Sequence, residues 1–299
     1  MSRSVEVFQV DAFTTERFTG NPAGVVLGAE VLSDGEMLAI ARELNNADTA
    51  FVMPATGKDH DIRVRFFTPR VEAAFVGHAT LAVHTVLVSR TPRAVCRQAG
   101  NAGVVEVSRT RDGGGFSIKL PPPQLGRVLD GDERTSVLDA LGLAAPTLDL
   151  RAPMRIAGGG GGRLLIGVES ASTLDRLQPD LAHLTRLSAS LGAAGYFLFT
   201  LAPAQPGCAV ESRMFCPALG IPEDPVSGNA HSLLAAHLLD LGLLPVVAGR
   251  LQFSGTQGHH LGRPGRVDVT LDVDAAGRCT AAHIAGRAVR VFGTRIDLD

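Results

Sequence analysis

Two stretches of the chain repeat one another, and this repeat decides the fold: RFFTPRVEAAFVGHA at residues 65–79 and RMFCPALGIPEDPVSGNA at residues 213–230. Both contain Arg-x-Phe-x-Pro, then an acidic position, then Gly-polar-Ala. An apolar helix pattern follows each copy, at residues 80–88 and 232–241. Because the same elements come in the same order, the sequence predicts two pseudo-symmetric halves.

The Gly-polar-Ala segments lie where a turn becomes a helix, at Gly77-His78 and Gly228-Asn229. Glycine allows a ligand to approach the backbone closely, and the first amides of a helix have no partner within the helix. Two such helix starts could hold a carboxylate or a developing oxyanion. The alternative is that both glycines only permit tight turns.

Candidate acids and bases lie in or near the same pattern. Asp48 joins a helix with a capping box, Ser33 to Glu36, to the following strand, where a carboxylate can enter a cleft. His78 follows Gly77, and Asp224 stands in Glu-Asp-Pro. Each also has a simpler interpretation: a turn aspartate bonded to its own backbone, a helix cap and an acidic turn residue.

Composition excludes several classes of protein. The 299 residues are 45% hydrophobic and carry 28 basic against 30 acidic groups, a net charge of −2, so we expect no nucleic-acid binding. The N-terminus has no apolar signal segment and no run approaches about 20 apolar residues, so we expect a cytoplasmic protein without a membrane span. The cysteines form no Cys-x-x-Cys pair and no lysine lies in a P-loop, so we expect no metal and no cofactor.

Strand and helix patterns alternate irregularly, which favours an α+β fold over a doubly wound sheet. Pro121-Pro122-Pro123 breaks the pattern and predicts a linker to about residue 131. We therefore expect halves at residues 1–126 and 127–284. The predicted helices outside the repeat lie at residues 36–44, 134–141, 172–177 and 181–191.

Five motifs follow one another almost from end to end: Asp11-Ala12-Phe13 with Gly20-Asn21-Pro22, Ala41 to Asn45, Phe67 to Thr80, Glu223 to Ala230, and Gln257-Gly258 with Gly262-Arg263-Pro264. This ordered set resembles the PhzF-like family of phenazine-biosynthesis isomerases. The resemblance implies the diaminopimelate-epimerase fold, in which each half is a curved sheet around a central helix. It also implies a homodimer, an active site in the cleft between the halves, and a last strand, about residues 285–299, that returns to the first half.

The resemblance further implies a cofactor-independent isomerase that moves a proton within a small carboxylate such as trans-2,3-dihydro-3-hydroxyanthranilate. The family's catalytic glutamate corresponds to Asp48, its histidine to His78 and its aspartate to Asp224. The turns that hold the substrate are Gly77-His78 and Gly228-Asn229. We also expect substrate contacts at the following two positions: Asn21 and Glu72.

One departure from the family pattern leaves alternatives open. Asp48 stands where the family usually has glutamate and is one methylene shorter, while a base must come within about 2.6–3.2 Å of the proton it removes. Two-thiol racemases of this fold carry a cysteine before each glycine, whereas this chain has Val76 and Ser227. The alternatives are an amino-acid or hydroxy-acid epimerase without catalytic cysteines, and a non-catalytic protein that binds a small acid or a partner.

Overall fold

The computed structural model describes residues 3–159 and 161–298, and these form two units. Unit 1 comprises the described residues up to Leu120 and those from Ile284 onward, and unit 2 runs from Pro121 to His283. The boundaries predicted from the sequence lie at 126/127 and 284/285. The segment predicted as a linker contains a short strand, Leu125–Val128, that pairs within unit 2.

Unit 1 is built on one sheet with a helix on each face. Its elements are β1 (Ser4–Ala12), β2 (Asn21–Leu27), α1 (Asp34–Leu44), β3 (Asp48–Pro54), β4 (Ile62–Phe67), β5 (Glu72–Ala73), α2 (Gly77–Leu87), β6 (Val95–Gly100), β7 (Gly103–Arg109), β8 (Phe116–Leu120) and β19 (Ala288–Asp297). The strand order is β19-β1-β2-β3-β4-β6-β7-β8, and β5 adds to β4. The pairs β2–β3 and β4–β6 are parallel, and the others are antiparallel.

Helix α2 is the centre of unit 1 and contacts strands from both ends of the sheet, β8 and β19, as well as β1, β2 and β3. Its residues from His78 to His84 are all buried, so no side of this stretch is exposed to solvent. A helix that is apolar all round is stable only when protein surrounds it. The sheet therefore wraps around α2.

Helix α1 covers the other face of the same sheet and starts at a capping box. Ser33 Oγ accepts the Glu36 amide at 3.3 Å, and the Glu36 carboxylate accepts the Ser33 amide at 2.7 Å. The helix ends at Asn45, which is left-handed with φ 50°. This end aims the chain into β3, whose first residue is Asp48.

Unit 2 repeats this plan. Its elements are β9 (Leu125–Val128), α3 (Gly131–Leu141), β10 (Arg155–Ala157), β11 (Gly162–Gly167), α4 (Ala171–Asp175), α5 (Leu181–Leu191), β12 (Ala193–Thr200), β13 (Val210–Cys216), β14 (Ile221–Asp224), α6 (Gly228–Asp240), β15 (Val246–Val247), β16 (Arg250–Gln257), β17 (Gly265–Val273) and β18 (Cys279–Gly286), the last of which crosses into unit 1. The sheet order is β9-β10-β11-β12-β13-β16-β17, with parallel pairs β11–β12 and β13–β16.

Counted across each sheet from β19 in unit 1 and from β9 in unit 2, the parallel and antiparallel strand pairs therefore follow the same order. Helix α6 is buried like α2 and packs on β17, β16, β11 and β9. Helices α3, α4 and α5 pack on the outer face of the unit 2 sheet. Each half is a curved sheet around a central helix, as predicted. Among the helices of the described residues, none is both long and apolar enough to cross a bilayer.

Candidate active site

The repeated arginine and acid form the same ion pair in both units. Arg65 on β4 donates to both carboxylate oxygens of Glu72 at 2.7 and 2.8 Å. Arg213 on β13 does the same to Glu223 at 2.9 and 2.8 Å. Of the two acids in the second copy, Glu223 is thus the equivalent of Glu72, which leaves Asp224 for another role. Bidentate pairs of this kind fix geometry as well as charge.

Each pair holds a short strand against the main sheet just before a helix starts. The short strands are β5 and β14, and in both units the glycine that starts the helix is the fifth residue after the paired glutamate. Neither Gly77 nor Gly228 has a positive φ. A tight turn therefore does not require glycine at these positions, which weakens the simpler interpretation.

The helix starts are also fixed in equivalent ways. The third residue after each glycine bonds the carbonyl just before it: Thr80 Oγ1 donates to Val76 O at 2.9 Å, and His231 Nδ1 lies 2.8 Å from Ser227 O. These bonds lock the peptide that precedes the first amides of each helix. The two turns are thus rigid features of the fold.

Asp48 and His78 lie together in unit 1. Asp48 is the first residue of β3 and His78 is the second residue of α2, and Asp48 Oδ2 is 3.8 Å from His78 Nε2. This distance exceeds a hydrogen bond but allows a charge interaction. The side chain of Asp48 is 13% exposed and that of His78 is 9% exposed.

The imidazole of His78 is neutral at pH 7, because burial lowers its pKa to about 4. Among the described residues, its buried Nε2 has no hydrogen-bond partner. A buried polar atom without a partner is costly, and native proteins tolerate few of them. Such an atom beside a carboxylate is typical of a group that awaits a substrate or takes part in proton transfer.

The backbone is uncovered beside the first residue of α2. A Cβ added to Gly77 would meet no atom within 4 Å. Val76, which precedes the helix, offers no side-chain acceptor to the first-turn amides. These amides carry the positive end of the helix dipole, which suits a carboxylate.

The equivalent turn in unit 2 is held by Gln257, a residue that sequence analysis placed in a motif but gave no role. Its side chain accepts the Ser227 amide at 3.1 Å and donates to Asp224 O at 2.6 Å. Ser227 Oγ accepts the Ala230 amide at 3.3 Å, so this helix start has a cap that the α2 start lacks. The sequence signal was the Gln257-Gly258 motif, and the structure places Gln257 at the end of β16, directly before Gly258 with φ 90°.

The remaining predicted site residues are placed as follows. Asn21 is fully buried at the start of β2, opposite Ala12. Asn229 is exposed as the second residue of α6. Glu72 is engaged by Arg65 and also accepts Asn101 Nδ2 at 2.8 Å, so the structure gives it a bracing contact, and its role in substrate binding stays a prediction.

Comparison with known proteins places this geometry in a family. The model of the phenazine biosynthesis-like (PhzC-PhzF) family matches residues 10–294. The chain belongs to this family. An uncharacterized isomerase of Clostridium acetobutylicum is 35% identical over the whole of both chains. The trans-2,3-dihydro-3-hydroxyanthranilate isomerase of Pseudomonas aeruginosa is 31% identical, over 93% of this chain and 94% of that protein.

A crystal structure of a PhzF-family phenazine biosynthesis protein from Bacillus anthracis aligns with a TM-score of 0.88 and 25% identity. The alignment covers 99% of this chain and all of the other. The predicted family and the predicted α+β, diaminopimelate-epimerase-like fold are therefore confirmed, and the protein is a PhzF-family isomerase.

Proposed function

We propose that this isomerase transfers a proton between two carbons of a small cyclic hydroxy or amino carboxylate similar to trans-2,3-dihydro-3-hydroxyanthranilate. One observation carries the proposal: Asp48 lies beside a neutral His78 at the start of α2, and the Nε2 of His78 has no hydrogen-bond partner in the described part of the chain. The likeness to the Pseudomonas enzyme supports this substrate class.

In the proposed reaction, the Asp48 carboxylate removes a proton from a ring carbon and the resulting acid returns it to another carbon. The double bonds shift between these events, so atoms and electrons balance without a co-reactant. His78 is uncharged and therefore does not permanently neutralise Asp48. Its Nε2 is available to hydrogen-bond the substrate or the transferred proton.

The amides of Gly77 and His78 are proposed to hold the substrate carboxylate, in the open space beside Gly77. The contributions of Asp224, Gly228 and Asn229 to the same substrate stay predictions, as do the homodimer and the cytoplasmic location.

The test is hydrogen–deuterium exchange by NMR in D₂O with trans-2,3-dihydro-3-hydroxyanthranilate. We expect deuterium at a ring carbon with the native protein and at least about a 100-fold lower rate with Asp48→Asn, because the base is lost. Asp59→Asn is the matched control, since the exposed Asp59 carboxylate also bonds a buried histidine of the same unit, His60, at 2.7 Å. Equal rates for Asp48→Asn and native protein would contradict the assignment of the base.

The same spectra separate the alternatives. Deuterium at an α-carbon with inversion, on a panel of amino and hydroxy acids, would indicate an epimerase. Ligand binding without exchange on any compound would indicate a non-catalytic protein. Asp48→Glu adds one methylene and restores the residue usual in the family, so a gain in rate would show that reach limits the native enzyme.

A further inference from the structure

A cavity of about 160 Å³ lies in unit 1 at the C-terminal end of α2. Val88, Val107 and Phe116 supply apolar walls, and His84 and Cys96 also line it. His84 is six residues beyond His78 on the same helix, which places the two about 9 Å apart along the axis. The cavity therefore lies apart from the Asp48 and His78 pair.

The hydrogen bonds around His84 determine which of its nitrogens carries the proton. Thr80 Oγ1 gives its one hydrogen to Val76 O, so it can only accept from Gln98 Nε2, 3.2 Å away. The carbonyl oxygen of Gln98 must then face His84 Nε2, at 3.1 Å. An amide oxygen accepts, so Nε2 of His84 is the donor.

A neutral imidazole with its proton on Nε2 has a bare acceptor at Nδ1. Burial lowers the pKa of His84 to about 4, so this ring is neutral at pH 7. The residue is 5% exposed, and no bond to Nδ1 is found within residues 3–159 and 161–298. The lining of the cavity thus includes a nine-tenths-buried histidine whose Nδ1 accepts no hydrogen bond from the described residues, and a ligand with an N–H or O–H group can donate to it.

The charged groups that also line the cavity are already engaged. Asp61 accepts Arg93 Nη1 at 2.5 Å and the Arg97 amide at 2.8 Å. Burial raises the pKa of the Cys96 thiol, which keeps it protonated. The surroundings therefore favour a neutral ligand over an anion or a cation.

We propose that this cavity binds a neutral, single-ring aromatic molecule whose O–H or N–H group donates to His84 Nδ1. An apolar cavity of about 150 Å³ is known to accommodate benzene, so one ring fits the available volume. The ring would pack against the two valines and Phe116, whose ring centroid is 5.7 Å from that of His84.

The test compares phenol with toluene, which has a similar shape but no donor, by NMR titration of the full-length protein. We expect phenol to bind about tenfold more tightly, the effect of one net hydrogen bond. Val88→Phe fills the cavity and should abolish phenol binding. Val128→Phe is the matched control, because Val128 lines a separate cavity in unit 2 and leaves this one intact.

A second measurement uses the native chain, so it does not depend on the folding of a variant. In NMR spectra of the complex, phenol protons should show nuclear Overhauser contacts to the methyl groups of Val88 and Val107, which line the cavity, and none to those of Val128, which does not. The proposal is overturned if phenol binds no better than toluene, if Val88→Phe folds and binds phenol normally, or if these contacts are absent.

Discussion

Removing Arg213 should destabilise unit 2 much more than removing Arg65 destabilises unit 1, although the two residues occupy equivalent positions. The proposed substitutions are Arg213→Ala and Arg65→Ala. Each leaves a glutamate without its bidentate partner, but the two glutamates differ in their surroundings. The comparison therefore isolates the effect of burial on one kind of ion pair.

The expected difference follows from exposure and from additional bonds. The side chains of Arg213 and Glu223 are 9% and 11% exposed, and Arg213 also donates to Leu174 O at 2.8 Å and to Leu177 O at 3.3 Å. Breaking a buried pair by removing one partner costs about 3–5 kcal/mol, so we expect about 4 kcal/mol. Glu72 is 26% exposed and keeps Asn101, so we expect about 1–2 kcal/mol for Arg65→Ala.

Urea unfolding should be followed by far-UV circular dichroism, since the chain has no tryptophan and one tyrosine. Hydrogen-exchange mass spectrometry would assign each loss to peptides of unit 1 or unit 2. A double variant, Arg213→Met with Glu223→Leu, should recover about 2 kcal/mol, because it removes the unpaired charge. Equal losses for the two alanine variants, or a loss below about 1 kcal/mol for Arg213→Ala, would refute this reasoning.

Three further predictions concern other buried groups. Four histidines, namely His78, His84, His231 and His237, have pKa values lowered by burial from 6.5 to about 4. The free energy of unfolding should therefore be unaffected by these rings above pH 6.5 and should decrease as the pH falls towards 4, by about 3 kcal/mol for each fully buried ring. A urea midpoint that stays constant between pH 7 and 4.5 would contradict this. Gly255→Ala should lower the free energy of unfolding by about 1–3 kcal/mol, because the added Cβ would lie 2.4 Å from the buried His231 ring. Gly35→Ala, whose added Cβ meets nothing within 4 Å, should not destabilise the protein. Thermal unfolding measures both effects. Gln257→Leu should lower kcat of the proposed reaction about tenfold or more with a smaller effect on KM, because the hydrogen bonds of Gln257 with Asp224 and Ser227 are lost. Gln252→Leu, on the exposed side of the same strand, should leave both constants unchanged.

The helices and regular strands were largely predictable, because their signals are local. The helix Leu181–Leu191 has the predicted bounds, and α1 begins two residues before the predicted start at residue 36. Strands such as β6, β10 and β18 were not predicted. Val95–Gly100 includes Arg97 and Gln98 and ends in glycine, so its pairing with β4 and β7 depends on distant partners rather than on its own pattern.

The residues of the site that lie in the repeated motifs were predictable from the sequence. The ion pairs and hydrogen bonds that hold the site in place were less predictable. The glycines, Asp48 and His78 could be found because motif and resemblance marked them, and the structure brings Asp48 and His78 together. The repeat did not show which of Glu223 and Asp224 corresponds to Glu72, because only the pairing of Glu223 with Arg213 distinguishes them in this respect. No sequence signal marked Gln98, because its role is to hydrogen-bond Thr80 and His84, which are 18 and 14 residues away in the chain.

The position of β19 in unit 1 has a consequence for biosynthesis. β1 is hydrogen-bonded on one side to β2, which follows within a few residues, and on the other to β19, which begins only at Ala288. At about 5–20 residues per second, a ribosome needs roughly 15–60 s between the two strands. During that time β1 is an open edge able to pair with foreign strands. Unit 2, contiguous from Pro121 to His283, is complete in the nascent chain before the segment that closes unit 1 has been made.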